Sequence, residues 1–145
     1  MTGNFWRIVV SGFVAGALSV LVFHQWGFYL AAELGFGTPN LYSMRPVPPW
    51  GVPAIVSLAF WGGLWGMLGA FVVGRLPGIL SGALGWILFA ITLVLAVNWF
   101  VVLPIKGAPV GGGWRLPGVV VVPIVYALWG FGMWLFYGLI RRLLR

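Results

Sequence analysis

The hydrophobic pattern of the chain consists of four long apolar runs separated by short breaks rich in glycine, proline and basic residues. No run alternates with the period of two residues that a lipid-facing strand would show, and each exceeds the length of a barrel strand. Each run is long enough for the roughly 20 helical residues that cross a hydrocarbon core of about 30 Å. The pattern therefore predicts four transmembrane helices, at about 5–34, 52–74, 78–103 and 118–140.

The breaks predict how these helices are joined. Residues 35–40 and 45–51 combine glycine, proline and polar side chains, which end the first helix and lead into the second. The five prolines of residues 39–53 favour a stiff, polyproline-like loop. Residues 75–78 form a tight turn that makes the second and third helices antiparallel, and residues 104–117 join the third and fourth. We expect an all-α bundle of four transmembrane helices.

The composition supports a membrane protein and excludes several kinds of chemistry. Hydrophobic residues make up 62% of the 145 residues and charged residues 6%, too few charges to cover a soluble domain. The chain has one acid, Glu33, one histidine, His24, and no cysteine. Paired carboxylates, a Ca²⁺ or carboxylate-held Mg²⁺ site, a zinc site and a c-type haem attachment are therefore excluded within one chain. We expect a single transmembrane domain over residues 1–145, with no metal site and no enzymatic activity.

The formal charge of +7 is distributed as a topology signal rather than as a nucleic-acid-binding patch. With four spans, both termini and the turn between the second and third helices share one side. That side carries five basic residues, Arg7, Arg75, Arg141, Arg142 and Arg145. The opposite side carries three, Arg45, Lys106 and Arg115. The positive-inside rule then favours cytoplasmic termini, with the lipid bilayer and not nucleic acid as the partner of these charges.

A weak internal repeat has an offset of 70 residues. Ser11-Gly12 recurs as Ser81-Gly82, and Val52-Pro53 recurs as Val122-Pro123. If the repeat is real, the first and second helices correspond to the third and fourth. The two halves then form a parallel repeat whose pseudo-twofold axis lies along the membrane normal.

Small residues at a spacing of four recur along the predicted helices. In lipid no hydrophobic force drives helices together, so close backbone contact between small residues supplies packing. The glycines concerned are Gly12, Gly16, Gly62, Gly66, Gly78 and Gly82. We predict that they pack helices within the bundle. The alternative is an interface with a second copy or with a partner subunit.

Polar residues gather in depth at the end of the bundle opposite the termini. At about 1.5 Å per residue, His24 and Gln25 approach that boundary, 17 and 18 residues after Arg7. The candidate polar cluster comprises His24, Gln25, Glu33, Arg45, Asn98, Lys106 and Arg115. Three basic groups and one acid favour an anionic partner, such as a lipid headgroup or an acidic protein loop. Ordinary interfacial anchoring explains the same residues.

His24 carries alternatives of its own. It is either an interfacial side chain bonded to a headgroup, water or backbone carbonyl, or a group that handles protons or solutes. A third alternative is an axial ligand of haem or of a chlorophyll-type pigment. No other cofactor is expected.

Three segments carry a resemblance to known proteins. They are residues 43–53, residues 59–66 (AFWGGLWG) and Phe23-His24-Gln25. Together they resemble a group of small bacterial inner-membrane proteins with four helices and no assigned activity. The resemblance covers mainly the first two helices and their loop. It implies a four-helix protein of a bacterial inner membrane, and it implies no catalytic residue.

The main functional expectation is a non-enzymatic accessory or scaffold subunit that packs with itself or with a larger membrane complex. Two alternatives stay open. One is a small transporter or channel that works as an oligomer, with the polar end of the bundle as its mouth. The other is a subunit that binds quinone, lipid or pigment between aromatic helices. In the fourth helix, Trp129 and Trp134 lie too centrally for an interfacial belt.

Overall fold

The computed structural model describes residues 2–144, and over these residues the chain is an all-α bundle of four helices. We number them α1 (Gly3–Glu33), α2 (Ala54–Val73), α3 (Ala83–Ile105) and α4 (Gly118–Leu143). Each is long and apolar enough to cross a membrane, which indicates a multi-pass membrane protein. The fold predicted from the hydrophobic pattern is confirmed.

Helix α1 lies at the centre of the packing. It contacts α2 along most of its length and packs against α4 on another face, while α3 packs mainly against α4. Helices α2 and α3 are joined by a short turn but touch sparingly, through pairs such as Trp65 and Phe89, whose ring centroids are 6.4 Å apart. The order across the bundle is therefore α2, α1, α4, α3.

The core of the bundle is filled by large side chains from three helices. Val73, Trp86, Phe89, Trp129 and Met133 are all buried, with at most 6% of their surface exposed. The Trp86 ring also lies 5.4 Å from that of Tyr137. The five buried side chains of this group carry no charged group.

The third helix begins later than the sequence pattern predicts. The run starts at residue 78, but Gly78 has a φ of +56°, which a right-handed helix cannot contain. Residues Gly78–Ser81 form a single 3₁₀ turn after Pro77, and α3 begins only at Ala83. At its other end α3 continues to Ile105. The predicted start at residue 78 was wrong because Pro77 and Gly78 belong to the turn before the helix.

The proline-rich loop also differs from its prediction. It is not an extended polyproline segment: β1 (Pro46–Val47) and β2 (Val52–Pro53) pair antiparallel, with Pro46 opposite Pro53. The two short strands place Trp50 at a hairpin tip, where 84% of its surface is exposed. Because Val52 and Pro53 belong to this hairpin, α2 begins at Ala54 and not at residue 52.

The 70-residue repeat has a counterpart in the backbone. A π-helical turn interrupts α1 at Val20–His24 and α3 at Ala90–Val94, which are 70 residues apart. Burial follows the same register. The buried residues of α1 that correspond to buried residues of α3 are Ala15/Gly85, Gly16/Trp86, Ser19/Phe89, Val20/Ala90 and Gln25/Leu95. The two halves thus share backbone irregularity and buried face, which supports the parallel repeat.

Candidate functional site

The four helices alternate in direction, so the bundle has two chemically different ends. We call the end that carries the α1–α2 loop (residues 34–53) and the α3–α4 connection (residues 106–117) the loop end. The opposite end carries both chain termini and the short α2–α3 turn. Most of the polar residues singled out in the sequence lie at the loop end or within the nearest turns of the helices.

A small pocket opens at the loop end between α1, the α1–α2 loop and α2. Its volume is about 260 Å³. Its lining includes His24, Phe28, Phe36, Asn40, Leu41 and Leu58. We call it the loop-end pocket. Aromatic and aliphatic side chains form most of its wall, and no charged side chain belongs to the lining.

The π-turn of α1 anchors the loop that forms one wall of this pocket. In the turn, the Gln25 backbone N–H reaches the carbonyl of Val20, five residues back, rather than that of Leu21. The Leu21 carbonyl accepts a hydrogen bond from the Tyr42 hydroxyl, at 2.6 Å. A π-turn thus makes a helix carbonyl available, and π-turns are frequent at functional sites. The loop is tied to the middle of a membrane-spanning helix.

A second hydrogen bond fixes the same loop. The Tyr42 backbone N–H donates to Gln25 Oε1 at 2.9 Å, and Gln25 is 4% exposed. Tyr42 has a φ of +48°, a conformation that L residues rarely adopt. The Gln25 amide Nε2 in turn lies 3.5 Å from Nδ1 of His24. Tyr42 therefore connects the loop wall directly to Gln25 and, through Gln25, to His24.

His24 is half-buried and surrounded mainly by aromatic rings. Its imidazole lies edge-on to Phe28, with ring centroids 5.1 Å apart, and to Tyr126 of α4, at 6.3 Å. Between residues 2 and 144 its Nε2 has no hydrogen-bond partner. Among the side chains of residues 3–144, one enclosed polar atom has no partner, Oγ of Ser11. Nε2 of His24 is therefore not sealed inside the protein.

The other members of the predicted polar cluster are not brought together. Glu33, Arg45, Lys106 and Arg115 are exposed at the loop end, and no ion pair joins any of them in the described chain. Asn98 is half-buried at the start of the second π-turn of α3, Asn98–Val102, outside the loop-end pocket. The structure therefore brings His24 and Gln25 together, and in the described chain no ion pair or side-chain hydrogen bond links the remaining five residues.

Four of the six predicted packing glycines form the seam between α1 and α2. A Cβ atom added to Gly12 would lie 2.8 Å from the Gly66 carbonyl oxygen, and one added to Gly16 would overlap the backbone of Gly62. Gly78 and Gly82 do not pack helices. A Cβ at Gly78 meets nothing within 4 Å, because this glycine lies in the α2–α3 turn, and one at Gly82 would lie 3.4 Å from the Ile79 oxygen of the same turn.

A pair of interhelical hydrogen bonds joins α1 to α4 near the middle of the bundle. Ser19 Oγ donates to the Trp129 carbonyl at 2.7 Å, and Trp129 Nε1 donates to the Gly16 carbonyl at 3.2 Å. Ser19 was missed by the sequence analysis, although a serine three residues after a packing glycine is a signal for such a contact. The central position of Trp129 is explained by this bond, so its ring lies in the protein core and not against lipid.

Comparison with protein-family models, with curated proteins and with solved structures finds no match for this chain.

Proposed function

We propose that this protein is a non-enzymatic scaffold or accessory subunit of a bacterial inner membrane, which associates with itself or with a larger membrane complex. The observation that supports it most is how the polar groups inside the bundle are used. Ser19, Gln25 and the indole of Trp129 all bond to backbone or loop. These bonds hold the helices and loop together, so the outer surface remains for contact with other molecules.

The exposed surfaces fit an assembly role. The described helices present large apolar side chains outward along their length, as a lipid or protein contact requires. The loop end adds exposed Arg45, Lys106 and Arg115 with Glu33 as the single acid. This excess of positive charge favours an anionic partner, either lipid headgroups or an acidic loop of another subunit.

Transport through one copy of the chain is disfavoured by the packing. Trp86, Phe89 and Trp129 occupy the middle of the bundle and are at most 6% exposed. Ion pathways at the membrane centre normally use ionisable groups or broken helices that line a cavity. A channel or transporter would therefore need a path between copies, which makes transport the second candidate.

A single preparation tests both candidates. The full-length protein is extracted in mild detergent, its complexes are weighed by native mass spectrometry, and the same material is reconstituted in liposomes for solute-flux assays. We expect a stoichiometric homo-oligomer or heteromeric complex and no flux above protein-free liposomes. A single-copy species that moves solute would contradict the proposal.

Two charge-reversal variants test whether an acidic partner protein docks at the loop end. Arg45→Glu changes the loop end, and Arg142→Glu changes an exposed residue near the C-terminus. If an acidic partner docks at the loop end, Arg45→Glu lowers its recovery severalfold and Arg142→Glu does not. Equal recovery with both variants would place the association within the membrane instead.

A further inference from the structure

The loop-end pocket could bind a ligand whether or not the protein is a scaffold. A chain of part-buried polar contacts runs from the Tyr42 backbone through Gln25 to His24, beside the loop-end pocket. A backbone N–H can only donate, so the Tyr42 N–H identifies the Gln25 atom it contacts as the amide oxygen. The Gln25 atom that lies 3.5 Å from His24 Nδ1 is then the NH₂ group. Nδ1 can accept from this NH₂ group only in the tautomer that carries its proton on Nε2.

This arrangement favours one form of the imidazole. A ring whose Nδ1 accepts a hydrogen bond is neutral and carries its proton on Nε2. Nε2 has no partner in the described chain and is not enclosed, as the hydrogen bonds and the single enclosed orphan atom at Ser11 indicate. His24 lines the pocket, and in this form its ring has one N–H donor without a partner in the described chain.

The rest of the pocket limits what that molecule can be. Phe28, Phe36 and Leu58 supply apolar wall, and Gln25, Thr38 and Asn40 add uncharged polar groups. No charged side chain lines the pocket, so a charged group would have no counter-charge in the lining. An apolar cavity of about 150 Å³ already holds benzene, and the loop-end pocket has about 260 Å³. It has room for one substituted ring or a comparable polar head. A haem-sized macrocycle needs more space than this.

We infer that the loop-end pocket binds the uncharged, carbonyl-bearing head of a membrane amphiphile, with the His24 Nε2–H donating to a carbonyl oxygen. The position of the pocket, at the loop end of a membrane-spanning helix, leaves the tail of such a molecule in the bilayer. Two sources share this chemistry: the ring of a quinone and the ester of a neutral glycerolipid. The tether from Tyr42 to Gln25 and to the Leu21 carbonyl holds the loop wall in place without the ligand.

The single histidine allows a direct test, because ¹⁵N-histidine labelling reports His24 alone. The full-length protein is placed in nanodiscs of diether phosphatidylcholine, which contains no carbonyl group. Three probes are added separately: a 1,4-benzoquinone with a ten-carbon tail, dioleoylglycerol, and decylbenzene as the matched molecule without a carbonyl. We expect a protonated Nε2 in the free protein and a shift of its signal with the quinone or the diacylglycerol but not with decylbenzene.

The two carbonyl probes separate the two sources: the probe that shifts the signal at lower concentration identifies which one the pocket prefers. A proton on Nδ1 in the free protein would overturn the inference. So would an Nε2 signal that responds to neither carbonyl probe, or that responds equally to decylbenzene. A coloured macrocycle bound through Nε2 in the purified protein would also overturn it.

Variants provide a second measurement. His24→Phe keeps an aromatic ring and removes the donor, and Leu58→Trp narrows the pocket without altering the hydrogen bonds of His24. His24→Phe should weaken binding of the effective probe at least about tenfold, the effect of one lost hydrogen bond of about 1.4 kcal/mol. Leu58→Trp should weaken binding by filling the pocket. Tyr29→Phe is the control, because Tyr29 is exposed on α1 outside the pocket. This variant should bind the effective probe with unchanged affinity. Unaltered binding in both pocket variants would exclude this site.

Discussion

The two helical hairpins of this protein correspond to each other at an offset of 70 residues, but they differ in side-chain size at their closest contacts. In the first hairpin, α1 and α2, glycine meets glycine: Gly12 and Gly16 lie against Gly66 and Gly62. In the second hairpin, α3 and α4, the residue 70 positions after Gly16 is Trp86, the largest side chain. There only α4 contributes a glycine, Gly130, whose added Cβ would lie 2.7 Å from the Trp86 carbonyl oxygen.

The difference shows where close backbone contact is needed. Trp86 can occupy a position equivalent to Gly16 because its ring has space beside Gly69 of α2 and the Tyr137 ring of α4. Gly16 has no such freedom, since α2 covers it on one side and its carbonyl accepts the Trp129 indole from α4. The central helix α1 needs small residues because α2 and α4 both pack closely against it, whereas α3 packs mainly against α4 and touches α2 sparingly.

The largest expected effect comes from widening the seam of the first hairpin. Gly16→Leu would drive a side chain into the Gly62 backbone, and we expect a loss of more than about 3 kcal/mol of unfolding free energy or failure to accumulate in the membrane. SDS-induced unfolding in mixed micelles and the membrane level measure this. Gly130→Leu should cost less, since α3 can shift outward.

Gly138 supplies the control for this series, because a Cβ there meets nothing within 4 Å. Gly138→Leu should leave the unfolding curve close to that of the unmodified protein. If Gly16→Leu were tolerated as well as Gly138→Leu, the glycine seam would not be the closest contact of the bundle.

An intermediate effect is expected from the hydrogen bonds that join the two hairpins. Ser19→Ala removes the donor to the Trp129 carbonyl, and the residue equivalent to Ser19 in the second half is Phe89, which has no hydroxyl. We expect a loss of about 0.6 kcal/mol and at most about 1.7 kcal/mol, the range for such bonds in membranes. Trp129→Phe should cost more, because it removes a buried volume as well as an N–H donor.

Two exposed residues control for these substitutions. Thr92 donates only to the Leu88 carbonyl of its own helix, and Trp134 is 37% exposed. Thr92→Val and Trp134→Phe should therefore change the unfolding free energy by less than about 0.5 kcal/mol. Losses as large as those of Ser19→Ala and Trp129→Phe would show that the interhelical bonds contribute nothing specific.

The smallest expected effect on stability comes from single cysteines that report sidedness. The chain has no cysteine, and Met44, Ile79 and Leu116 are each at least 68% exposed. If the hairpins are parallel repeats, Met44→Cys and Leu116→Cys should react together with an impermeant thiol reagent. With cytoplasmic termini, both label in intact cells and Ile79→Cys labels only after lysis. The reverse pattern would invert the topology, and labelling of only one loop would contradict the parallel arrangement.

Hydropathy alone was sufficient to predict four helices that are long and apolar enough to span a membrane. A run of about 20 apolar residues has few alternatives to a membrane-spanning helix, because every backbone group in lipid must be bonded within the segment. The glycines at positions 12, 16, 62 and 66 were predictable for the same kind of reason, since small residues permit close contact of helices in lipid. The start of α3 was predicted wrongly because the sequence does not show whether Gly78 belongs to a turn or to a helix-packing contact.

The partners of the polar residues depended on long-range geometry. Nothing in the local sequence relates Tyr42 to Gln25 and Leu21, or Ser19 to Trp129, because each pair joins segments that meet only when the bundle and its loop are assembled. Depth along the membrane placed seven polar residues at one end, but depth carries no information on lateral position. The folded chain therefore joins His24 to Gln25 beside a pocket and leaves Glu33, Arg45 and Arg115 apart at the surface. Composition and periodicity govern which segments enter the membrane, while side-chain size at the contacts governs which helix faces which.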